Sequence, residues 1–198
     1  EEPPMAKKST RNTRGRIVSA AWKLFYEQGY EDTTVEEIIE LSGTSKGSFY
    51  HYFDGKDALL STLSSLFDEK YEELTGLLTP EMTAMEQLLF LNRELFHMIE
   101  DSISLDLLAR LYSTQLTTNG EKHLLDHNRI YYKLLRKIIA KGQAEGQLSS
   151  RSNVNEMVKL YALCERALLY DWCLCAGEYA LTEYSAKVLP GFLSSFLP

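Results

Sequence analysis

Lys46, Gly47, Ser48, Tyr50 and His51 fall within one short run and offer an ammonium, a bare backbone, a hydroxyl, a phenol and an imidazole. Groups of this kind suit a nucleic acid: Lys and His donate to phosphate oxygens or base acceptors, and hydroxyls do both. Glycine lets a backbone come close. Phe49 and Phe53, four apart, would fill the inner side of the same helix and leave the polar set outside. Taken alone, such a set is also what the polar face of any short helix looks like. The residues before it tip the balance. From Met5 to Lys23 the charged residues are Lys7, Lys8, Arg11, Arg14, Arg16 and Lys23, with no acid among them, although the whole chain carries −7. A basic arm on an acidic body can hold DNA at one end and repel it elsewhere.

The elements that must present these residues are helical. Ile17, Ala20, Ala21, Leu24 and Phe25 follow the spacing of an amphipathic helix, and Gly29 is a natural stop. Thr33-Thr34-Val35-Glu36 predicts a capping box from Thr33 to Glu36, opening a short helix with Val35, Ile38 and Ile39 inside. Ser42-Gly43 breaks it, and Ser45 can cap the next. Three helices, two of them joined by a short Gly-containing turn, are the anatomy of a helix-turn-helix. Beyond Asp54-Gly55 the spacing predicts a helix through Leu59, Leu60, Leu63, Phe67, Tyr71 and Leu74, then one capped at Thr79-Pro80 and carrying Met85 to Ile99. A short helix through Leu105 to Tyr112 follows, and a long one from Leu124 that closes near Gly142 and Gly146. Asn153, with Glu156 three residues on, can cap the eighth helix, and Leu181 to Leu193 can form a ninth. No segment alternates with a strand period. The expected architecture is all-α, about nine helices, with a three-helix helix-turn-helix domain over 10–56 and a helical effector-binding and dimerisation domain over 57–198. Glu1 to Pro4 precede a methionine and take no part in this reading.

At 198 residues there is room for one good-sized domain, or a small one fused to a larger. No apolar run approaches the roughly 20 residues of a membrane span, and no charged-then-apolar leader opens the chain, so a cytoplasmic protein with no membrane partner is expected. Cys164, Cys173 and Cys175 are an odd number crowded into one apolar segment, which reads as reduced buried thiols. Cys173 and Cys175 stand two apart and would point in different directions on a helix. The i+4 pair His123 and His127 is too small a ligand set for zinc. With no nucleophile elbow, phosphate-binding Gly-rich loop or His-Glu metal motif, neither an enzyme nor a cofactor is expected.

Thr34-Val35-Glu36-Glu37-Ile38, Ser42-Gly43, Ser45-Lys46-Gly47-Ser48-Phe49-Tyr50-His51-Tyr52-Phe53 and Lys56-Asp57-Ala58-Leu59-Leu60 closely resemble the N-terminal domain of TetR-family repressors, from about Arg14 to Leu63. The later helices agree with that family in number and length, and Gly142-Gln143-Ala144-Glu145-Gly146 looks like a turn common in it. The resemblance implies that Thr34 contacts a phosphate and that Lys46, Gly47 and Ser48 face the major groove. It also implies that Tyr50, His51 and Tyr52 touch backbone or bases, and that Lys56 binds phosphate. Ser45 and Arg14 complete the expected DNA-binding set. Arg11, Arg14 and Arg16 would grip phosphates or enter a minor groove, or form a solvated arm. A homodimer joined through the last two helices, a palindromic double-stranded DNA operator and release by a small-molecule effector are implied as well.

Two features of the later sequence bear on that. Between Val154 and Ala176, Met157, Tyr161, Cys164, Leu168 and Cys175 form one apolar stripe, while Leu160, Leu163, Ala167, Tyr170 and Leu174 form another. A helix apolar on two faces must bury both, and the second face needs a partner. The expected effector lining is Phe67, Phe90, His97, Tyr112, Tyr131, Cys164, Arg166 and Trp172, though an aromatic stripe is ordinary core just as often. Arg166 is a charge in an apolar helix. It pairs with Glu165, Asp171 or an acid of a partner subunit, or else meets a carboxylate ligand. The competing functional reading is a helix-turn-helix regulator controlled by a partner protein or acting without a ligand, or an activator. A sealed sensor core would favour that reading, and a cavity of several hundred Å3 the first.

Overall fold

The computed structural model describes the backbone of residues 6–117 and 122–198, and side chains from Thr13 onward. Among the described residues every regular element is helical, as the periodicity predicts. The chain divides into two compact units, one ending at Leu63 and one beginning at Ser64.

The first unit holds α1 (Ala6–Gln28), α2 (Val35–Ser42), α3 (Lys46–Tyr52) and α4 (Lys56–Leu60). Its core is Ile17, Ala21, Phe25, Ile38, Phe49, Leu59 and Leu60, and α1 packs on both α2 and α3. Gly29, at φ 90°, ends α1, and Gly43, at φ 60°, ends α2 in the left-handed conformation that a side chain resists. The capping box of α2 falls one residue later than predicted. The Thr34 hydroxyl accepts from Glu37 N, and the Glu37 carboxylate accepts from Thr34 N. Thr33 is unavailable for this because it is buried and donates to the Gly29 carbonyl at 2.7 Å, closing the end of α1.

The sequence places a domain boundary at 56/57, whereas α4 belongs to the first unit. Leu59 and Leu60 are buried, the Tyr30 phenol donates to Asp57, and Trp22 Nε1 donates to Thr62 at 2.8 Å. The single helix expected from Leu59 to Leu74 is correspondingly divided at Ser61-Thr62. The hydroxyls of both residues turn back onto carbonyls three residues earlier, a bonding pattern that competes with the helix ladder.

The second unit continues with α5 (Leu63–Thr75), α6 (Ala84–Ser102), α7 (Leu105–Thr117), α8 (Ile130–Ala144), α9 (Val154–Leu174) and α10 (Leu181–Leu193). The cap expected at Thr79-Pro80 is instead a turn. Thr83 caps α6 through a box with Glu86, which satisfies two otherwise orphaned N–H groups. The long helix expected from Leu124 starts at Ile130, and Leu124 sits in a 3-10 turn over His123–Leu125. Asn153 caps α9 as predicted, accepting from Glu156 N at 3.0 Å.

Helix α6 packs on α8 and α10, and α9 on α7, α8 and α10. A polar network ties four of them. Glu165 of α9 accepts from Asn92 of α6 at 2.8 Å and from the Tyr131 phenol of α8 at 2.6 Å, while Ser185 of α10 donates to Asn92. No helix among the described residues is long and apolar enough to cross a membrane.

Candidate nucleic-acid interface and effector site

Helix α3 is held by its apolar side. Phe49 is fully buried and Phe53 nearly so, with ring centroids 6.0 Å apart. Ser45 caps the helix, accepting from Ser48 N at 3.0 Å and donating to the Ser48 hydroxyl at 2.9 Å. With those residues fixed, Ser45, Lys46, Gly47, Tyr50 and His51 are exposed, and Ser48 and Tyr52 are half-buried. The Lys46 ammonium lies 3.6 Å from Glu36, with both side chains open to water. A surface pair of this kind is worth little and is easily exchanged for a phosphate. His51 and Tyr52 stack edge-on at 4.8 Å. Arg14 is exposed, with its guanidinium over the Phe53 ring at 5.4 Å, which sets its direction at the end of α3.

Gly47 is the informative residue of this face. A Cβ there would meet only the Ser45 hydroxyl, at 3.9 Å, so nothing among the described residues requires a glycine. Glycine within a helix costs about 1 kcal/mol relative to alanine. The bare backbone therefore points to a need outside the unit.

Two of the expected contacts are otherwise engaged. Lys56 donates to the carbonyls of Tyr30, Glu31 and Thr33 at 2.6, 3.2 and 2.8 Å and lies 4.3 Å from the Tyr30 ring centre. Its three donors brace the connection between α1 and α2. Thr34 is exposed but committed to its capping box, which holds the Glu37 carboxyl below its ordinary range through hydrogen bonds from Thr34. Lys7, Lys8 and Arg11 lie outside the described side chains.

In the second unit, four of the eight residues expected around an effector come together. Phe67, Tyr112, Tyr131 and Arg166 line a small inner cavity of about 50 Å3 with Tyr71, Leu95, Leu124, Arg129, Glu165 and Leu169. An outer cavity of about 340 Å3 lies against α7, α9 and the 3-10 turn, and it shares Tyr112, Leu124 and Arg166 with the inner one. The other four residues lie elsewhere. Phe90 lines a separate groove of about 600 Å3 along α6 and α10, with Met82, Leu89 and Pro190. His97 is exposed beside Asp101, Trp172 donates to the Tyr179 carbonyl, and Cys164 is half-buried, with burial raising its thiol pKa to about 11.

Arg166 pairs with neither Glu165 nor Asp171. Its guanidinium donates to the Tyr132 phenol at 3.2 Å, and among the described residues no carboxylate lies within ion-pairing distance. Glu165 is the group that went unread. Burial pushes its carboxyl pKa up, against the downward pull of hydrogen bonds from Tyr131 and Asn92. Its place in the sequence, four after Tyr161 and three before Leu168, puts it on the buried stripe, whereas Arg166 falls at the stripe's edge. Arg129, which also escaped notice, grips Asp68 with two nitrogens at 3.1 and 3.0 Å. Among the described residues no group of three His, Cys, Asp or Glu could hold a metal ion.

Among the described residues the first unit is a helix-turn-helix with a polar, exposed second helix, an arrangement found in DNA-binding regulators. Residues 17–63 match the model of bacterial regulatory proteins of the tetR family. The HTH-type transcriptional regulator TtgR of Pseudomonas putida is 34% identical over 68 residues, covering 34% of this chain and 32% of TtgR. The uncharacterized HTH-type transcriptional regulator YvdT of Bacillus subtilis is 26% identical over 74% of this chain and 75% of its own length. Among solved structures, the TetR-family repressor FadR of Thermus thermophilus, in complex with lauroyl-CoA, aligns over 93% of this chain and 95% of its own, with a TM-score of 0.70 and 24% identity. Over residues 17–63 the chain is similar to the N-terminal domain of the tetR family. The match with several curated relatives spans about a third or less of their length, and the likeness to FadR, at that identity, concerns the fold.

Proposed function

We propose that this chain is a cytoplasmic transcriptional repressor that binds a palindromic operator as a homodimer and is released by a small-molecule effector held in its second unit. The observation that carries the DNA-binding part is the outer face of α3, where an exposed Lys46, Tyr50 and His51 flank a glycine the fold does not need. In this reading α3 enters the major groove, with Lys46, Gly47, Ser48, Tyr50 and His51 toward bases and phosphates. Ser45, Tyr52 and Arg14 flank it, and Thr34 gives up a hydrogen bond to Glu37 for a phosphate. Lys56 binds phosphate only on releasing a carbonyl, and its main work is to fix the turn that positions α2.

The dimer is supported by the second face of α9. Leu163, Tyr170 and Leu174 are 52%, 46% and 67% exposed and share a stripe with Ala167, which an isolated subunit leaves in water. A second copy related by two-fold symmetry covers it and sets two copies of α3 on matching half-sites, hence the palindrome. The effector reading is supported by the outer cavity. Its volume of about 340 Å3 stands at the lower end of the roughly 300–1,000 Å3 of small-ligand sites. Control by a partner protein is the second reading. It is favoured by the inner cavity, where about 50 Å3 leaves room for little more than water.

Selection of random duplex DNA on the purified protein, repeated with the Lys46→Ala/Tyr50→Ala variant, tests this function. A palindrome enriched by the native chain and not by the variant is expected. No enrichment even at low salt, where phosphate contacts are strongest, would overturn it.

A further inference from the structure

We propose that the effector is an amphipathic carboxylate, with its head on Arg166 and its apolar body in the outer cavity; this rests on the second unit being the effector site. The outer cavity is walled by Leu116, Leu124, Leu125, Leu163, Ala167 and Tyr170, an apolar lining from three elements. At its inner end Tyr112, Leu124 and Arg166 stand between it and the 50 Å3 chamber, which is too small to take the ligand's body.

The charges around that neck decide the sign of the head group. Asp68 is neutralised by the two-pronged contact with Arg129, both side chains largely buried. Glu165 lines the inner chamber beside Arg166 and not the outer cavity, and its two oxygens accept from Asn92 and Tyr131. Burial also favours its neutral form. Lys122 adds a second cation on the outer rim, its ammonium resting on the Gln115 carbonyl at 2.6 Å. Arg166 is left half-buried with one hydrogen bond, to a neutral phenol, and with no carboxylate partner among the described residues. A guanidinium carries five N–H donors in a planar fork that matches a carboxylate with two parallel bonds. Among the described residues the site is therefore short of one negative charge, at the point where an apolar body lying in the cavity would end. Leu163, Ala167 and Tyr170 also belong to the stripe assigned to the second copy. Seating the ligand and packing the dimer act on the same side chains, which gives a route from binding to dimer geometry.

Calorimetric titration of the full chain with decanoate, decanol and decylammonium tests the assignment without involving DNA. Decanoate is expected to bind about tenfold or more tightly than decanol, the scale of a charge-assisted hydrogen-bonded pair, and decylammonium more weakly than either. Arg166→Gln is expected to bring decanoate down to the level of decanol while leaving decanol itself unchanged, which a merely structural arginine would not do. Arg166→Lys keeps the charge and loses the fork, so part of the preference remains. Leu116→Glu, at a site 68% exposed and thus safe for folding, is expected to weaken decanoate more than decanol. Equal affinity for decanoate and decanol, tighter binding of decylammonium, or no binding of any of the three would overturn the proposal. Each of those results leaves the operator selection untouched. Decanoate binding that fails to loosen operator DNA would instead contradict the effector role of the unit.

Discussion

Gly47 and Glu165 are residues whose local costs have no return within their own helix. A glycine in α3 with open space around its missing Cβ lowers the stability of the first unit. Gly47→Ala is therefore expected to raise the unfolding free energy by about 0.5–1 kcal/mol and to weaken operator binding. Denaturant unfolding and a DNA titration on the same sample check both signs. Glu165 is held above the ordinary carboxylate range, chiefly by burial. The folded chain keeps a proton that the unfolded chain releases, so this group's contribution to stability is complete below the unfolded pKa. It is lost as pH rises through the folded one. Glu165→Gln does not titrate, and its thermal midpoint is expected to fall less than that of the native chain as pH is raised from acid toward neutral. The face of α3 was legible in the sequence because apolar and polar residues segregate there by simple spacing. The neighbouring pair Glu165-Arg166 was not, because both are charged, and only the phase of α9 tells which one is inside.

Helix boundaries were legible where a capping side chain has no competing use. Ser45 and Asn153 each bond the N–H three residues on. Thr33 was misread because its hydroxyl is drawn to the Gly29 carbonyl, and Thr79-Pro80 because Thr83 and Glu86 form a reciprocal box one turn later. Thr83→Ala is expected to cost about 1 kcal/mol without altering DNA affinity, since Thr83 lies on neither α3 nor the exposed stripe of α9; chemical denaturation and a DNA titration measure the two effects. Helix α8 ends at Ala144, between Gly142 and Gly146 as the sequence predicts, and Gly142 lies in its last turn. A Cβ at that position would stand 2.6 Å from the Ala84 Cβ and 2.9 Å from the Leu148 side chain, so α8 can approach α6 closely only with glycine there. Gly142→Ala is expected to destabilise the second unit by about 1–3 kcal/mol, read from thermal unfolding. Sequence periodicity does not reveal that contact because it depends on a distance between helices far apart in the chain.

For the whole molecule, two apolar stripes on α9 were visible in the sequence, and one of them lies open in the single chain. Leu163→Glu/Tyr170→Glu is expected to give a monomer in analytical ultracentrifugation, with intact helical circular dichroism and much weaker operator binding. Of the residues expected around an effector, Phe67, Tyr112, Tyr131 and Arg166 meet around one cavity, whereas Phe90, His97, Cys164 and Trp172 lie apart from it. Aromatic residues in a helical bundle serve core and pocket alike, and the packing of distant helices decides which.

Whether α3 holds operator DNA in a two-fold complex is read by titrating the selected duplex with the native chain and with Lys46→Ala/Tyr50→Ala over a range of salt concentrations. An even number of protomers per duplex and a steep loss of affinity as salt rises are expected, with a shallower slope and much weaker binding for the variant. Equal affinity and equal salt dependence for the two proteins would contradict binding through α3.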